Sequence, residues 1–297
     1  KSLEGDQSTM AKCSVSAQRH YGRARNINEC FGAYGWEFTR DEMMYITNWL
    51  LIRGVNGIMP HAFYYSLRGD RRNERPPDVG PNSPWWGEYK AYADYCRRMS
   101  WLMAYGRQVC HFAILGHTVG LPWRAARVMF ETHHDFNYLD TDTLKRQCTV
   151  SESRVAIRDM NYQAVIVDGT EYVDSAVLEA LKPLNDAGRV IAYKDTVKSI
   201  EQYADDAGAL VRALDLIVFP DVTVTPLAPG LRYSHLKCGT NDVCVFANEG
   251  RETIDVKVLT SANPPREWWD PYAAKVVPND PPDRLLLAPL QMRIQIA

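Results

Sequence analysis

The sequence has no apolar run near the roughly 20 residues that a membrane-spanning helix needs, no CxxC, HxxxH or GxSxG spacing, and no run of basic residues longer than two. Each absence removes a class of function. Without a long apolar run no membrane-spanning helix is expected, the scattered cysteines argue against a structural zinc site, and without a basic tract no footprint for nucleic acid or an anionic membrane is visible. The amino terminus, KSLEGDQSTMAK, lacks the apolar centre of a signal peptide, so a soluble cytoplasmic or periplasmic protein is expected. Seven cysteines, an odd number spread along the chain, argue against a disulfide framework. One pair, Cys238 and Cys244, is spaced to flank a tight turn and bond across two strands. With a net charge of −2, neutral partners are favoured.

What is present points to a folded protein of several modules. Hydrophobic residues make up 46% of the 297 and charged residues 24%, which excludes disorder and fibrous repeats. From Cys13 to Gly106 the pattern reads as strand and loop, helix, strand, long loop, helix. Thr39 is an N-cap with Glu42 three residues on, and Met43, Met44, Ile46, Trp49 and Leu50 recur at helical spacing before Gly54. VNGIMPHAFYY follows as a strand, so a parallel strand–helix–strand unit is expected. The proline-rich loop Ser66–Trp85 is long enough to suggest function.

From Gln108 to Pro220, short apolar strands (VCHFAILG, FNYLD, QAVIVDG, RVIAYK, LIVF) alternate with helices over Trp123–His133, Val173–Ala187 and Ile200–Leu214. That alternation predicts a doubly wound, flavodoxin-like parallel sheet. From Leu231 onward DVCVFANEG, TIDVKVLT and RLLLAPLQMRIQIA alternate with period two, which predicts a small antiparallel β-sandwich. The expected units are therefore residues 1–106, a partial (β/α)-barrel segment; 107–228, the flavodoxin-like α/β unit; and 229–297, the sandwich.

Glu29 precedes CFGAYG, where glycines and aromatics let a loop pass close to a flat ligand. It also stands just before a helix, as a catalytic group at the carboxyl end of a barrel strand would; the plain alternative is a solvated loop glutamate. His61, Tyr64 and Tyr65 end the next strand and would emerge on the same rim, either as hydrogen-bond donors to sugar hydroxyls or as packing residues. Trp36, Trp85 and Trp86 offer flat faces for stacking on a pyranose; Trp86 reads as core, and Trp85 and Arg68 as site candidates on the loop. His133-His134-Asp135 falls at a helix end, where histidines complement the helix dipole. ILGHTVGLP lacks the third glycine of a phosphate loop. No cofactor or metal is expected.

In order, NECFGAYGW, GVN, HAFYYS, PWW, LPWRAARVMFETHHDFNYLDTDTL and WWDPYAAKV resemble the last part of bacterial α-L-rhamnosidase-like glycoside hydrolases: the end of the catalytic barrel, then a flavodoxin-like domain and a β-sandwich. The resemblance implies that Glu29 is a catalytic carboxylate and that His61, Tyr65 and Arg68 line a sugar pocket. In that family a second carboxylate comes from an earlier strand, and glycoside hydrolysis needs two, about 5–5.5 Å apart for retention or 6.5–9.5 Å for inversion. This chain begins about one strand before Glu29. The candidates within it are Glu37, Asp41 and Asp70, of which Asp70 is best placed.

The expectation is thus a glycosidase acting on a neutral sugar or aryl glycoside, with a small carbohydrate as substrate and a homo-oligomer covering the open barrel edge. The competing expectation is a non-catalytic carbohydrate-binding or oligomerisation module. A nucleotide- or flavin-binding protein is a third, disfavoured by the missing phosphate loop.

Overall fold

The computed structural model describes residues 3–117, 120–261, 267–277 and 283–297. It opens with α1 (Met10–His20), β1 (Ile27–Cys30), α2 (Arg40–Ile52), β2 (Gly57–Pro60) and α3 (Tyr89–Tyr105). Where a strand is expected from Cys13 there is a helix, hidden in the sequence because its buried face mixes Ala11 and Val15 with the polar Lys12, Ser16, Gln18 and His20 and so shows no continuous apolar stripe. The α2 cap is the reciprocal one read from the sequence: Glu42 N–H donates to the Thr39 hydroxyl at 3.2 Å, and Thr39 N–H donates to the Glu42 carboxylate at 2.8 Å. Gly54 ends the helix at φ +102°, and a Cβ there would lie 2.8 Å from Val15 Cγ1, so only glycine serves.

β1 and β2 pair in parallel, with Glu29 opposite Met59, and α2 is the crossover between them. One face of the pair packs Cys30 and Ile58 against Met43, Trp49 and Tyr92. On the other, Ile27 and Met59 stay 62% and 51% exposed.

The middle of the chain runs through β3 (Arg107–Val109), β4 (Phe112–Gly116), α4 (Arg124–Glu131), β5 (Phe136–Asp140), α5 (Thr141–Gln147), β6 (Thr149–Val150), β7 (Val155–Ile157), β8 (Met160–Tyr162), β9 (Ala164–Val167), α6 (Ser175–Asp186), β10 (Val190–Tyr193), β11 (Gln202–Ala204) and α7 (Ala207–Ile217). Five of these strands form a parallel sheet in the order β11-β10-β9-β4-β5. Helices cover both faces. Leu115, Val165 and Val167 meet Val177 and Leu181 of α6, while Ile114, Ile166 and Ile191 meet Met129 of α4 and Leu214 of α7.

Two strand assignments change. VCHFAILG splits at Cys110-His111: Phe112–Gly116 enters the parallel sheet, but Arg107–Val109 pairs antiparallel with Lys237–His235 in the carboxyl-terminal region. LIVF is not a strand. The fifth position is taken by the short, polar-flanked QYA, and Asp206 then caps α7 by accepting the Ala209 amide at 2.7 Å, leaving Leu216 and Phe219 88% and 85% exposed.

The remainder is β12 (Val222–Thr225), β13 (Leu231–Cys238), β14 (Asn241–Asn248), β15 (Ile254–Thr260), β16 (Glu267–Asp270), β17 (Lys275–Val276), β18 (Arg284–Leu287) and β19 (Met292–Ile296). These form one sheet β12-β15-β18 and a second β17-β16-β19-β14-β13-β3. Val224, Val258, Leu285, Leu231, Phe246 and Trp268 fill the space between them. Pairing of Val222–Thr225 with β15 starts this unit some residues before 229. The outer face of the larger sheet packs Leu236, Val245 and Ile294 against Leu51, Met99 and Met103 of α2 and α3. Arg53, stacked 4.3 Å over Trp49 and 4.7 Å over Phe130, meets Glu249, which also takes the Arg232 Nε–H at 2.8 Å.

All seven cysteines are free. Cys238 and Cys244 do not bond because the β13–β14 register sets Cys244 opposite His235 and Cys238 opposite Asn241, beyond the reach of a disulfide. Among the described residues, no helix is long and apolar enough to cross a membrane.

Candidate functional site

Glu29 stands on β1, one residue before the chain turns into the glycine- and aromatic-rich loop. In that loop Phe31 and Ala33 hold φ of +80° and +66°, conformations that non-glycine residues adopt only when their surroundings enforce them. Phe31 is held by burial, 1% exposed and 5.3 Å from the Phe38 ring. Its neighbour Gly32 leaves room for His61: a Cβ on Gly32 would sit 3.2 Å from His61 Cγ. His61 extends the β1–β2 ladder, donating its amide to the Cys30 carbonyl at 2.8 Å.

Glu29 and His61 line one hollow of about 630 Å³, together with Tyr34, Arg75 and the Met10–Ala11 end of α1. His61 Nδ1 is buried without a hydrogen-bond partner, and a Cβ on Gly32 would lie 3.4 Å from it. A second hollow of about 710 Å³ shares His61 and Arg75 with the first and adds Phe63, Tyr64, Tyr65, Arg71 and Glu74. Both are of a size that holds a sugar residue or two.

The segment 68–75 arches over the second hollow and is tied down by its main chain. Ala33 N–H donates to the Arg75 carbonyl at 3.3 Å, Gly35 N–H to the Pro76 carbonyl at 2.9 Å, and Trp36 Nε1–H to the Arg72 carbonyl at 2.9 Å. The Tyr64 hydroxyl donates to the Glu74 carbonyl. Asp78, 1% exposed, anchors the far side by accepting the amides of Tyr64, Gly80 and Asn82 at 3.1, 2.7 and 3.2 Å.

The structure thus brings together Glu29 and His61, with Tyr64 and Tyr65 in the adjoining space, Tyr65 being 97% exposed. Trp36 packs edge-on against Tyr64 (6.0 Å) and supports the arch. Asp70 and Arg68 are exposed and line neither hollow, because Asp70 belongs to the short 3-10 turn Gly69–Asn73 on the outer side of the arch. Trp85 is half-buried and packs against the α2 core, whereas Trp86, read as core, is 39% exposed and stacks on Tyr89 at 5.1 Å. Glu37 and Asp41 are likewise exposed away from Glu29's hollow, where Glu29 is the single carboxylate among the described residues. Sequence reading missed Arg75, Arg71 and Tyr34. Arg75 had no readable signal, since its left-handed φ of +49° runs against the extended backbone favoured before proline.

His133-His134-Asp135 is structural. His133 Nε2 meets the Ala228 carbonyl at 3.0 Å, and burial lowers its pKa to about 4. His134 pairs with Asp215 at 3.0 Å and Asp135 with Lys12 at 2.5 Å. In ILGHTVGLP, Thr118 and Val119 lie outside the described residues. The amino end of α4 beyond that turn is occupied by the chain itself: the buried Asp168 carboxylate accepts Ala125 N–H at 2.8 Å and Arg124 Nε–H at 2.7 Å.

In fold the chain is similar to a rhamnosidase from Novosphingobium sp. PP1Y (TM-score 0.75, 15% identity, 95% of this chain and 32% of that one). It is also similar to a beta-galactosidase from Bacillus circulans sp. alkalophilus (TM-score 0.65, 10% identity, 98% and 58%) and to the GH42 beta-galactosidase Gan42B (TM-score 0.64, 10% identity, 100% and 58%). The chain therefore spans about a third of the length of that rhamnosidase and somewhat over half that of the two galactosidases. No curated protein sequence matches it. The alpha-L-rhamnosidase family model, Glyco_hydro_106, matches residues 2–259, and the chain belongs to that family of glycoside hydrolases.

Proposed function

We propose that this chain carries one half of a glycosidase site, with Glu29 as general acid/base or nucleophile acting on a neutral α-L-rhamnoside or aryl glycoside. The observation that carries the reading is the shared lining: Glu29 and His61 line one sugar-sized space, and His61 and Arg75 also line a second one beside Tyr64 and Tyr65. In this reading β1, α2, β2 and α3 are a partial (β/α)-barrel segment, and the strand order of the parallel sheet supports a flavodoxin-like unit. This reading divides the chain at about 1–106, 107–228 and 229–297, with β3 and β12 pairing in the sheets of the third unit. His61 and Tyr65 contact sugar hydroxyls, while Trp36 and Tyr64 hold the arch. Trp85, Arg68 and Asp70 lie further from Glu29 and take no direct part unless the arch moves.

The second carboxylate comes from a strand added at an edge of the β1–β2 pair, in this protein or a second copy of it, since among the described residues neither edge pairs with a further strand and Ile27 and Met59 are exposed on one face. That Glu29 is the single carboxylate lining its hollow among the described residues equally favours the rival reading, a non-catalytic carbohydrate-binding or oligomerisation module. A nucleotide or flavin role is disfavoured, because Asp168 fills the place at the α4 amino end where a phosphate would bind. Turnover of a chromogenic α-L-rhamnoside by wild type and Glu29→Gln decides between the first two. A fall of roughly 10² to 10⁴ supports the hydrolase, and binding of rhamnose without turnover by either protein supports the module.

A further inference from the structure

The parallel sheet reverses its direction of growth at β4: in the order β11-β10-β9-β4-β5 the chain runs from β4 outward to β5 and then back across to β9. Parallel sheets covered on both faces bind ligands outside the carboxyl ends of their strands at such a reversal. On the β9 side that place is filled, since Arg124 spans Asp168 and Asp195 at 2.7 and 2.6 Å. On the β5 side it is open. There a hollow of about 480 Å³ is lined by Gly116 and Asp140, the last residues of β4 and β5, and by Cys13, Ala17 and His20 of α1.

Among the described residues Asp140 is the single carboxylate lining this hollow, and no lysine or arginine lines it. Asp140 Oδ1 accepts the amides of Asp142 and Thr143 at 2.9 and 3.0 Å, while Oδ2 takes no hydrogen bond from the described residues. The Tyr21 hydroxyl lies 3.3 Å from Thr143 Oγ1 in the same lining, and each of these groups both donates and accepts. Burial takes the pKa of His20 down to about 4 and pushes the Cys13 thiol up, so neither is charged near neutral pH. His117, exposed, adds a ring nitrogen, and Ala17, Leu121 and the buried Tyr138 supply apolar walls. An open carboxylate oxygen, a hydroxyl pair and apolar walls, with no cation to match a phosphate, suit a neutral sugar ring.

We propose that this hollow is a saccharide site of its own, in which Asp140 Oδ2 accepts both hydroxyls of a vicinal diol on a neutral sugar. The ring is a free pyranose or the ribose of a nucleoside without phosphate; an acidic side chain just beyond the second strand holds ribose hydroxyls in dinucleotide-binding sheets. Met10 alone lines both this hollow and that of Glu29, and the inference does not depend on the glycosidase reading.

Hydrogen exchange of the intact protein, read at residues 141–147 of α5, compares L-rhamnose and adenosine, each against its 2-deoxy counterpart. At ten times its dissociation constant the bound sugar slows exchange there about tenfold. The 2-deoxy compound at the same concentration does not, and Asp140→Ser abolishes the effect. Serine still caps α5 but is too short to reach the ring; Asp140→Asn, a cap of the original length, gives a smaller loss should the serine variant fold poorly. Protection by rhamnose alone assigns a pyranose, and by adenosine alone a nucleoside. Equal protection by the 2-deoxy compounds, protection that survives Asp140→Ser, or none from either sugar overturns the proposal. If rhamnose protects 141–147 while 61–75 is unprotected and Glu29→Gln leaves turnover unchanged, the hydrolase reading fails and this site stands.

Discussion

The junction between the parallel sheet and the sandwich is pH-sensitive in a calculable way. His235, 4% exposed, lies between two carboxylates, with Nδ1 3.0 Å from Asp221 and Nε2 2.7 Å from Asp242. Asp221 also accepts from the Tyr233 hydroxyl at 2.6 Å and from Ser261. Burial pushes the Asp221 carboxyl up, but the hydrogen bond and charge of His235 and these hydroxyls outweigh it, moving the pKa from 3.8 to about 2. Burial likewise pulls His235 down, and Asp221 and Asp242 together outweigh it, so its pKa lies above the ordinary 6.5.

At about 1.4 kcal/mol per pH unit, the Asp221 shift corresponds to about 2 kcal/mol of stability. A depressed carboxylate pKa means this contribution is present above pH 3.8 and lost as the pH falls through about 2. A raised imidazole pKa means the His235 contribution is complete below 6.5 and lost as the pH rises through its folded value. The two overlap between about pH 4 and 6.5. Urea unfolding of wild type and Asp221→Asn across this range checks it. The stability difference is largest near pH 5.5, narrows by about 2 kcal/mol toward pH 2, and narrows again on the alkaline side. A difference that stays constant with pH would refute the reasoning.

Two further outcomes follow from burial. Lys12→Met removes the partner of Asp135, which is only 8% exposed, and lowers unfolding free energy by about 3–5 kcal/mol, whereas Lys182→Met, breaking the surface pair with Asp186, changes it by less than about 0.5 kcal/mol; comparable losses would show that the α1–β5 contact is not a buried ion pair. Trp85→Ala destabilises by about 2–3 kcal/mol, while Trp36→Ala leaves unfolding nearly unchanged and weakens saccharide binding by freeing the arch, as paired denaturation and calorimetry would measure.

The legible parts of the fold are those where one local rule acts alone. The Thr39–Glu42 cap, the apolar strands β4, β9 and β10, and the period-two strand β15 follow from sequence because capping, full burial and alternation leave clear patterns, whereas β14, read as alternating, is buried on both faces between the sandwich core and α2–α3. α1 was hidden because much of its buried side bonds as well as packs: Ser16 Oγ accepts the Tyr138 amide at 2.8 Å and His20 Nε2 meets the Tyr162 hydroxyl at 2.6 Å, while Ala11 and Val15 join the apolar core. The departure of β3 from its apparent strand depends on Leu236 and Lys237, some 130 residues away, which no local window contains. In the candidate site, Glu29 and His61 were readable from the ends of adjacent parallel strands. Arg75 was not, since its place follows from main-chain bonds to Ala33 rather than from its own neighbours.

The central claim is that Glu29 works opposite a second acid across a sugar-sized space. A crystal structure of the intact protein with a rhamnose-like monosaccharide bound tests it most directly. The account predicts the sugar in the hollow between Glu29 and His61, with a carboxyl group from this chain or a neighbouring copy about 5–9.5 Å from Glu29 across the ring. A sugar bound elsewhere, with Glu29 surrounded by water and no carboxyl group within that range, would contradict it.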